Sequence, residues 1–214
     1  RNECGRQAGR CAPGPEGGGR GRRAGGPVPS GKGFCPGSGG WDSRWVGSTP
    51  DTAGTATVRA WATEEWRSYR KVRLAALADA PRAFGSALAA ERALSEEEWR
   101  RRLATGNALV AEVRGNAQGL VAVIADEEGN TGGNGTARMV SLWVHRGARG
   151  RGVGGRLVEA ALERARELGF ARVRLWVAEG NGRAERLYTR YGFTRTGEER
   201  PVRPGEPAVE FAMS

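Results

Sequence analysis

Six residues with the sequence Arg-Gly-Arg-Gly-Val-Gly, Arg149–Gly154, have the composition of a loop that binds an anion. Glycines let the backbone amides approach a ligand closely and adopt dihedral angles that other residues avoid. A segment with helical hydrophobic spacing follows at once, so these amides would lie at a helix N-terminus. Unpaired N–H groups and the positive end of the helix dipole favour an anion such as pyrophosphate at that position. The two arginines of the loop add positive charge.

Other interpretations of the loop have to be weighed against this one. It follows at least three predicted strands, and no acidic residue ends the next strand at the distance that a dinucleotide-binding fold requires. The Gly-Lys-Ser/Thr sequence of a nucleoside-triphosphate loop is missing from the chain. A plain strand-to-helix connector would have a similar composition, so the loop alone leaves that reading open.

The hydrophobic pattern predicts the elements that position this loop. The predicted strands are Thr55–Trp61, Ala108–Val113, Gln118–Ala125, Met139–Val144, Arg172–Val177, Phe193–Thr196 and Ala208–Met213. The predicted helices are Glu64–Ala78, a second piece from Pro81 to about Leu94, Trp99–Leu103, Val153–Leu168 and Arg183–Tyr191. This alternation indicates an α/β fold and argues against an all-helical or all-β protein.

Local signals mark several of the boundaries. Ser95 followed by Glu98 is the pattern of a capping box, and Gly169 fits a helix C-cap. The segment Arg114–Ala117 separates two apolar runs and predicts a hairpin, and Asp126–Gly135 is a polar loop.

Two further blocks carry a resemblance to a known family. LWVAEGN (Leu175–Asn181) and AERLYTRYGF (Ala184–Phe193) follow the glycine-rich loop in order. Together with Arg149–Gly154 they resemble the GNAT superfamily of N-acetyltransferases, whose signature is Arg/Gln-x-x-Gly-x-Gly/Ala followed by a strand, an asparagine and a helix ending in Tyr-x-x-x-Gly-Phe. The stretch Trp66–Arg92 also resembles the first helices of small bacterial members. The resemblance covers about residues 55–214.

The resemblance implies the GNAT fold, a mixed, mostly antiparallel central sheet that is flanked by helices and splayed at its middle. The splay is expected between the strands Met139–Val144 and Arg172–Val177, and acetyl-CoA, the implied cosubstrate, would lie in the cleft. Its pantetheine arm would bond to the backbone around Leu142–Val144 like an added strand. The implied cofactor-binding residues are Leu142, Trp143, Val144, Arg149, Gly150, Arg151, Gly152, Val153, Gly154 and Asn181.

The implied reaction is direct attack of an amine on the thioester carbonyl, with no covalent enzyme intermediate. A backbone amide near Val144 would stabilise the developing oxyanion. Tyr188 matches the tyrosine that lies by the thioester sulfur, and it is the implied catalytic residue, a proton donor to the departing thiolate. The alternative for Tyr188 is a core aromatic with one solvated end.

The group that accepts the proton of the amine is left open by the sequence. Some family members have a glutamate near the start of the strand Met139–Val144, but Thr136–Met139 contains none. A water chain ending on Glu91 or Glu179 and the hydroxyl of Ser141 remain candidates, and each is equally explained as an ordinary surface or helix residue.

Three aromatic residues lie near the predicted cleft. Trp143 and Trp176 lie on the two splayed strands, and we expect one of them to face the cleft. His145 is expected to face solvent in the loop that follows Val144.

The composition of the N-terminal quarter differs from that of the rest of the chain. Residues 1–54 are rich in Gly, Pro and Arg without apolar periodicity, which predicts a disordered extension before an N-acetyltransferase domain at 55–214. The first methionine is Met139, so we expect the natural polypeptide to begin nearer Thr55–Val58. Cys4, Cys11 and Cys35 are irregularly spaced and accompany a single histidine, so no metal site is predicted.

The net charge of +10 raises the question of a nucleic-acid partner. Nearly all of the positive charge is arginine in a chain crowded with Ala and Gly, which is typical of a G+C-rich genome, so we do not expect nucleic acid as the partner. No apolar run approaches the roughly 20 residues of a membrane span, and we expect a cytoplasmic protein without a membrane partner.

The expected partner is an amine-bearing small molecule or peptide, with a homodimer left open. Two other classes compete with the acetyltransferase. One is a catalytically silent acyl-CoA-binding regulator on the same fold, and the other is a nucleic-acid-binding protein that uses the arginine-rich extension.

Overall fold

The computed structural model describes residues 56–127 and 135–214. The strands are β1 (Thr57–Ala60), β2 (Ala108–Val113), β3 (Asn116–Ala125), β4 (Thr136–Val144), β5 (Arg172–Ala178), β6 (Arg195–Pro201) and β7 (Val209–Met213). The helices are α1 (Trp66–Asp79), α2 (Leu88–Arg92), α3 (Glu96–Leu103), α4 (Val153–Glu167) and α5 (Gly182–Thr189). The predictions for residues 1–54 lie outside the described residues, as does most of the loop predicted at Asp126–Gly135. None of the described helices combines the length and the apolar character that crossing a membrane requires.

The seven strands form one sheet in the order β1-β2-β3-β4-β5-β7-β6. All neighbours are antiparallel except β4 and β5, which pair in parallel only through Thr136–Arg138 and Arg172–Arg174. Farther along, β4 continues against β3 while β5 pairs with β7 over Leu175–Ala178. The two strands therefore diverge at the middle of the sheet. The predicted α/β fold with a mostly antiparallel, centrally splayed sheet is confirmed.

Helices cover both faces of the sheet. α4 buries a stripe at helical spacing against β2–β5, and this core includes Val153, Leu157, Ala161, Ala165, Val121, Val123, Met139 and Leu175. On the other face α1 and α3 bury a second cluster that includes Tyr69, Leu77, Trp99, Leu103, Val110, Leu120 and Trp143. The point where β4 and β5 diverge therefore lies between two layers of helices.

The helix caps and the hairpin turn lie where the sequence predicts them. The Ser95 hydroxyl accepts a hydrogen bond from the Glu98 amide at 3.3 Å, and the Glu98 carboxylate accepts one from the Ser95 amide at 2.7 Å. Gly169 ends α4 with a φ of +81°, and Gly115 at the β2–β3 hairpin has a φ of +73°. The predicted capping box, C-cap and hairpin are confirmed.

Several element boundaries differ from the prediction, most clearly those of two elements. The piece from Pro81 to Leu94 is not one helix, because a 3₁₀ turn at Pro81–Ala83 is separated from α2 by an extended Phe84 with φ −130° and ψ 138°. Phe84 is buried in the second core, and the following Gly85 and Ser86 are weak helix formers. β6 is longer and later than predicted, because it is an exposed, charged strand that gains its pairing from β7 rather than from an apolar pattern.

Candidate active site

An open cleft of about 840 Å³ lies where β4 and β5 diverge. Met139–Leu142 of β4 form one wall and Trp176–Ala178 of β5 form the other. α5 contributes Asn181 and Tyr188 to the same cleft. Because this side of β4 has no partner strand beyond Arg138 among the described residues, it offers a free strand edge beside the cleft.

The glycine-rich loop leads into the N-terminus of α4. Gly152 is the N-cap residue with a φ of +79°, a conformation that residues with a Cβ rarely adopt. Within the described part of the chain, no backbone carbonyl accepts a hydrogen bond from the amides of Arg151, Gly152, Val153 or Gly154. A Cβ built on Gly150 or Gly152 would meet no atom within 4 Å, so space remains in front of these donors. The loop therefore fits an anionic group such as pyrophosphate.

The side chains of Arg149 and Trp143 are turned away from this anion site. The Arg149 guanidinium donates to the Val144 carbonyl at 2.9 Å and pairs with Asp79 at the end of α1. The Trp143 indole N–H donates to the same Asp79 carboxylate at 2.9 Å. The Trp143 hydrogen bond, together with Arg149, lowers the pKa of Asp79. Both side chains thus attach the loop and β4 to α1. Of Arg149 and Trp143, the backbone atoms rather than the side chains are therefore placed to contact a ligand.

The start of α4 packs closely against α5. A Cβ on Gly155 would lie 2.5 Å from the Tyr191 hydroxyl, and one on Gly154 would lie 3.3 Å from the Leu187 side chain. The Tyr191 hydroxyl is anchored in turn by donating to Glu159 at 3.0 Å. Small residues at the helix start therefore let α5 approach, which brings the anion site and the α5 wall together.

Tyr188 and Asn181 occupy defined places on α5. Tyr188 is buried, packs edge-on against Phe193 and lines the cleft, and burial raises the pKa of its hydroxyl. The phenol therefore stays protonated at neutral pH and can donate. The Asn181 side-chain oxygen caps α5 by accepting from the Ala184 amide at 3.2 Å. Its amide N–H₂ donates to none of the described residues in a hydrogen bond.

A β-bulge interrupts β4 at the cleft. Trp143 pairs with Leu120 and Val140 pairs with Ala122, so Ser141 and Leu142 together face Val121 alone. Ser141 has a φ of +63°, an uncommon conformation for a residue other than glycine. A bulge leaves one residue outside the ladder and re-aims the backbone locally. Bulge and strain both lie at the β4 wall of the cleft.

A buried ion cluster supports the bulge from the α1 side. Arg73 donates to both carboxylate oxygens of Glu91, the shortest bond being 2.7 Å, and to the Ser141 hydroxyl at 3.1 Å. Arg102 donates to Glu91 at 3.0 Å. Burial favours a raised pKa for Glu91, but the hydrogen bonds and charge of Arg73 and the charge of Arg102 outweigh it, so the pKa is lowered.

The sequence reasoning missed Arg73, although a signal was present. Trp66, Tyr69, Arg73 and Leu77 follow one another at helical spacing, so Arg73 is a charge within an apolar stripe. A charge in such a position is buried only when it is paired. Its partner, Glu91, could not be identified from the sequence pattern.

Two other lining residues were also missed. Glu210 of β7 is 9% exposed and accepts a hydrogen bond from Arg200 at 2.8 Å. Arg200 in turn covers the Trp176 ring, with 3.8 Å between the guanidinium carbon and the ring centroid. Trp176 lines the cleft, whereas Trp143 packs in the core on the α1 side. An acidic residue in the apolar strand Val209–Met213 was the available signal.

Comparison with known proteins places this architecture in a family. The model of the acetyltransferase (GNAT) family matches residues 58–193. The chain belongs to the GNAT family. Among curated proteins similar to this GNAT chain is a mycothiol acetyltransferase from Parafrankia sp., 50% identical over 48 residues, which are 22% of this chain and 15% of that relative. The chain therefore spans a small part of that relative's length.

Solved structures with the same GNAT fold align over most of the described region. A ribosomal-protein-alanine N-acetyltransferase from Brucella melitensis has a TM-score of 0.60 at 18% identity, covering 73% of this chain and 97% of its own. A GNAT superfamily phosphinothricin acetyltransferase from Sinorhizobium meliloti, solved in complex with acetyl-CoA, has a TM-score of 0.60 at 22% identity, covering 74% and 86%. At these identities the likeness concerns the fold. Acetyl-CoA is the cosubstrate expected of this GNAT domain, and the open amides at the start of α4 are compatible with it.

Proposed function

We propose that this GNAT chain is an N-acetyltransferase that moves an acetyl group from acetyl-CoA to the amine of a small molecule or of a protein N-terminus. The observation that carries the proposal is a pair of features that adjoin each other where β4 leads into α4, since a Cβ on Gly154 would lie 3.7 Å from the Val144 side chain. Open backbone amides begin α4, and β4 beside them has a free edge where it diverges from β5. Together they suit a long ligand with a diphosphate at one end and a strand-like arm at the other.

The proposed binding residues act mainly through their backbone. The amides of Arg151, Gly152, Val153 and Gly154 would hold the pyrophosphate, with the exposed Arg151 side chain adding charge. The free edge of β4 through Leu142, Trp143 and Val144 would hold the pantetheine arm. Arg149 would hold the loop in place through Val144 and Asp79, and Gly150 would leave room for the ligand. Asn181 would offer its side-chain amide from the N-terminus of α5.

Bound acetyl-CoA supplies an electrophilic thioester carbonyl. The backbone at the Ser141–Leu142 bulge would present an amide toward the cleft, where a preorganised donor stabilises developing negative charge. The Tyr188 hydroxyl, which lines the cleft, would donate a proton to the leaving sulfur. This proposal places the oxyanion-stabilising amide at Ser141 or Leu142, two to three residues before Val144, where the sequence led us to expect it.

The proton of the attacking amine needs an acceptor, and in the part of the chain that the structure describes two carboxylates line the cleft. Glu91 is held by four hydrogen bonds from Arg73 and Arg102, which oppose its protonation. Glu210 accepts from Arg200 through one oxygen, Oε1. We assign the proton-accepting role to Glu210, directly or through water, and a supporting role to Glu91.

Release of free thiol from acetyl-CoA in the presence of a panel of amines tests the function. Small amines, amino acids and short peptides should be compared, with acetyl-CoA affinity measured separately by calorimetry. Amine-dependent thiol release is expected. Tight acetyl-CoA binding without release by any amine would instead identify an acyl-CoA-binding regulator, and absence of binding would contradict both.

A further inference from the structure

Two arginines stand side by side at the closed end of the cleft. Arg138 of β4 and Arg174 of β5 are directly opposite each other in the last parallel pair before the strands diverge. Arg138 lines the cleft, and Arg174 is 9% exposed beside it. Like charges placed opposite each other across a strand pair are unfavourable unless an anion lies between them.

The buried carboxylate beside this arginine pair reaches neither member by a hydrogen bond. Asp126, which is 1% exposed, lies 3.9 Å from the Arg138 guanidinium and 3.8 Å from that of Arg174. Both Asp126 oxygens and the Nε atoms of both arginines are buried without a hydrogen-bonding partner in the described part of the chain. Arg174 has a second carboxylate partner in the more exposed Glu198. Arg138 has Asp126 alone among the described residues.

Unsatisfied donors of this kind are costly in a protein interior. A buried polar group without a partner loses its hydration and gains nothing in exchange. The Nε atoms themselves are enclosed, but the Arg138 side chain as a whole is 24% exposed. Because Arg138 faces the cleft, a ligand there could reach its guanidinium.

The cleft as a whole also carries an excess of positive charge. Among the described residues its lining contains five arginines and two glutamates, and the glutamates are already paired with arginines. The arginines are Arg73, Arg101, Arg102, Arg138 and Arg200. The loop Arg149–Gly154 does not line this cleft, so the excess positive charge is separate from the anion site at α4.

We propose that the acceptor amine carries a carboxylate, and that Arg138, backed by Arg174, binds it at the closed end of the cleft. This inference rests on the proposed acetyl transfer and names the chemical class of the acceptor. A planar guanidinium binds a carboxylate through two parallel hydrogen bonds, which gives orientation as well as affinity. The bound carboxylate would direct the amine of the same molecule toward the bulge at Ser141.

Matched pairs of acceptors test the proposal. Free amino acids are compared with their carboxamides, and tetrapeptides with Asp at the second position are compared with the Asn versions. The first pair tests a small-molecule source of the carboxylate and the second a peptide source. We expect kcat/KM for one acid to exceed that of its amide by about tenfold to a hundredfold, the range for hydrogen bonds to a charged group. Equal rates for acid and amide in both pairs would overturn the proposal.

Variants connect that preference to Arg138. Arg138→Gln should reduce the acid-to-amide ratio to about one, and Arg138→Lys should restore part of it, since a lysine keeps the charge but loses the paired hydrogen bonds. Arg114→Asn removes a charge at the exposed β2–β3 hairpin, where φ is +51°, and should leave the ratio unchanged. An unchanged ratio in a folded Arg138→Gln protein would contradict the assignment.

Binding separates this inference from the proposed function. Calorimetry should detect the same acids, and not their amides, binding to the protein saturated with CoA, with Arg138→Gln abolishing the signal. Arg138-dependent binding without acetylation would support the carboxylate site and contradict acetyl transfer. A panel in which no acid binds and none is acetylated would overturn the carboxylate site.

Discussion

The guanidinium of Arg73 donates to the Ser141 hydroxyl at 3.1 Å, joining residues that are 68 positions apart. Ser141 has a positive φ in the β4 bulge, and Arg73 is itself held by Glu91. Helix α1, which contributes Arg73 to the cleft lining, is therefore attached to the strained backbone of the β4 wall. A change in the Arg73–Glu91 pair should affect both the stability of the fold and the geometry of the bulge.

Replacement of Glu91 by Gln should strongly destabilise the protein. The Glu91 and Arg73 side chains are 3% and 6% exposed, and removing one partner leaves an uncompensated buried charge. We expect a loss of about 3–5 kcal/mol in the free energy of unfolding, measured by urea denaturation. Glu96→Gln is the control, because Glu96 pairs with Arg100 on the surface at 48% exposure and should cost less than about 1 kcal/mol. Similar losses in both variants would contradict the role given to the buried pair.

Glu91 should also make stability depend on pH. Its pKa in the folded protein is lowered from 4.5, so the stabilisation is fully present above that value. The stabilisation is lost as the pH falls below 4.5 and through the lowered pKa of the folded state. The difference in unfolding free energy between the wild type and Glu91→Gln should therefore be constant near neutrality and shrink in acid. Urea denaturation across this range measures it, and a difference that does not shrink would exclude Glu91 as the titrating group.

Gly152→Asp should abolish acetyl-CoA binding, because it places a carboxylate in front of the open amides of α4. Gly152→Asn is the matched variant, since it has nearly the same shape, tolerates a positive φ and carries no charge. Calorimetry should show a partial loss for Asn and no detectable binding for Asp. Gly115→Asp, at another glycine of positive φ, should bind like the wild type. Retention of full affinity by Gly152→Asp would remove the loop from the binding site.

Tyr188→Phe should lower turnover while leaving acetyl-CoA affinity nearly unchanged. Loss of a general acid is worth roughly 10²–10⁴ in rate. Tyr191→Phe is the control, because the Tyr191 hydroxyl donates to Glu159 outside the cleft lining. Steady-state kinetics and calorimetry on the two variants separate the catalytic effect from binding. Wild-type turnover in Tyr188→Phe would assign the residue to packing against Phe193.

Glu210→Gln should reduce kcat/KM by about 10² or more, since it removes the proposed proton acceptor. The amide keeps an oxygen that can accept from Arg200, so the fold should tolerate the change. Glu206→Gln, in the exposed pair with Arg203, provides a control of equal charge. A kcat/KM equal to that of the wild type in a folded Glu210→Gln protein would show that the proton leaves by another route.

The order of the elements was predictable because each depends on nearby residues. The Ser95–Glu98 capping box, the Gly169 cap and the stripe of α4 act over a few positions, and the prediction of each was confirmed. β6 was predicted poorly because its residues are nearly all exposed and its pairing is supplied by β7. The break at Phe84 was missed because it depends on burial of that ring in a core assembled from distant segments.

For the candidate site, adjacent residues were enough to predict the glycine-rich loop, the Asn181 and Tyr188 blocks and the family that they indicate, because backbone conformation at glycines and helix starts depends on neighbours in the chain. Tertiary structure decided where the side chains point. It turned Arg149 and Trp143 toward Asp79, joined Arg73 to Ser141 and set Arg138 beside Arg174. These contacts join residues more than 30 positions apart, and their energies depend on burial and charge that exist only after the sheet has formed.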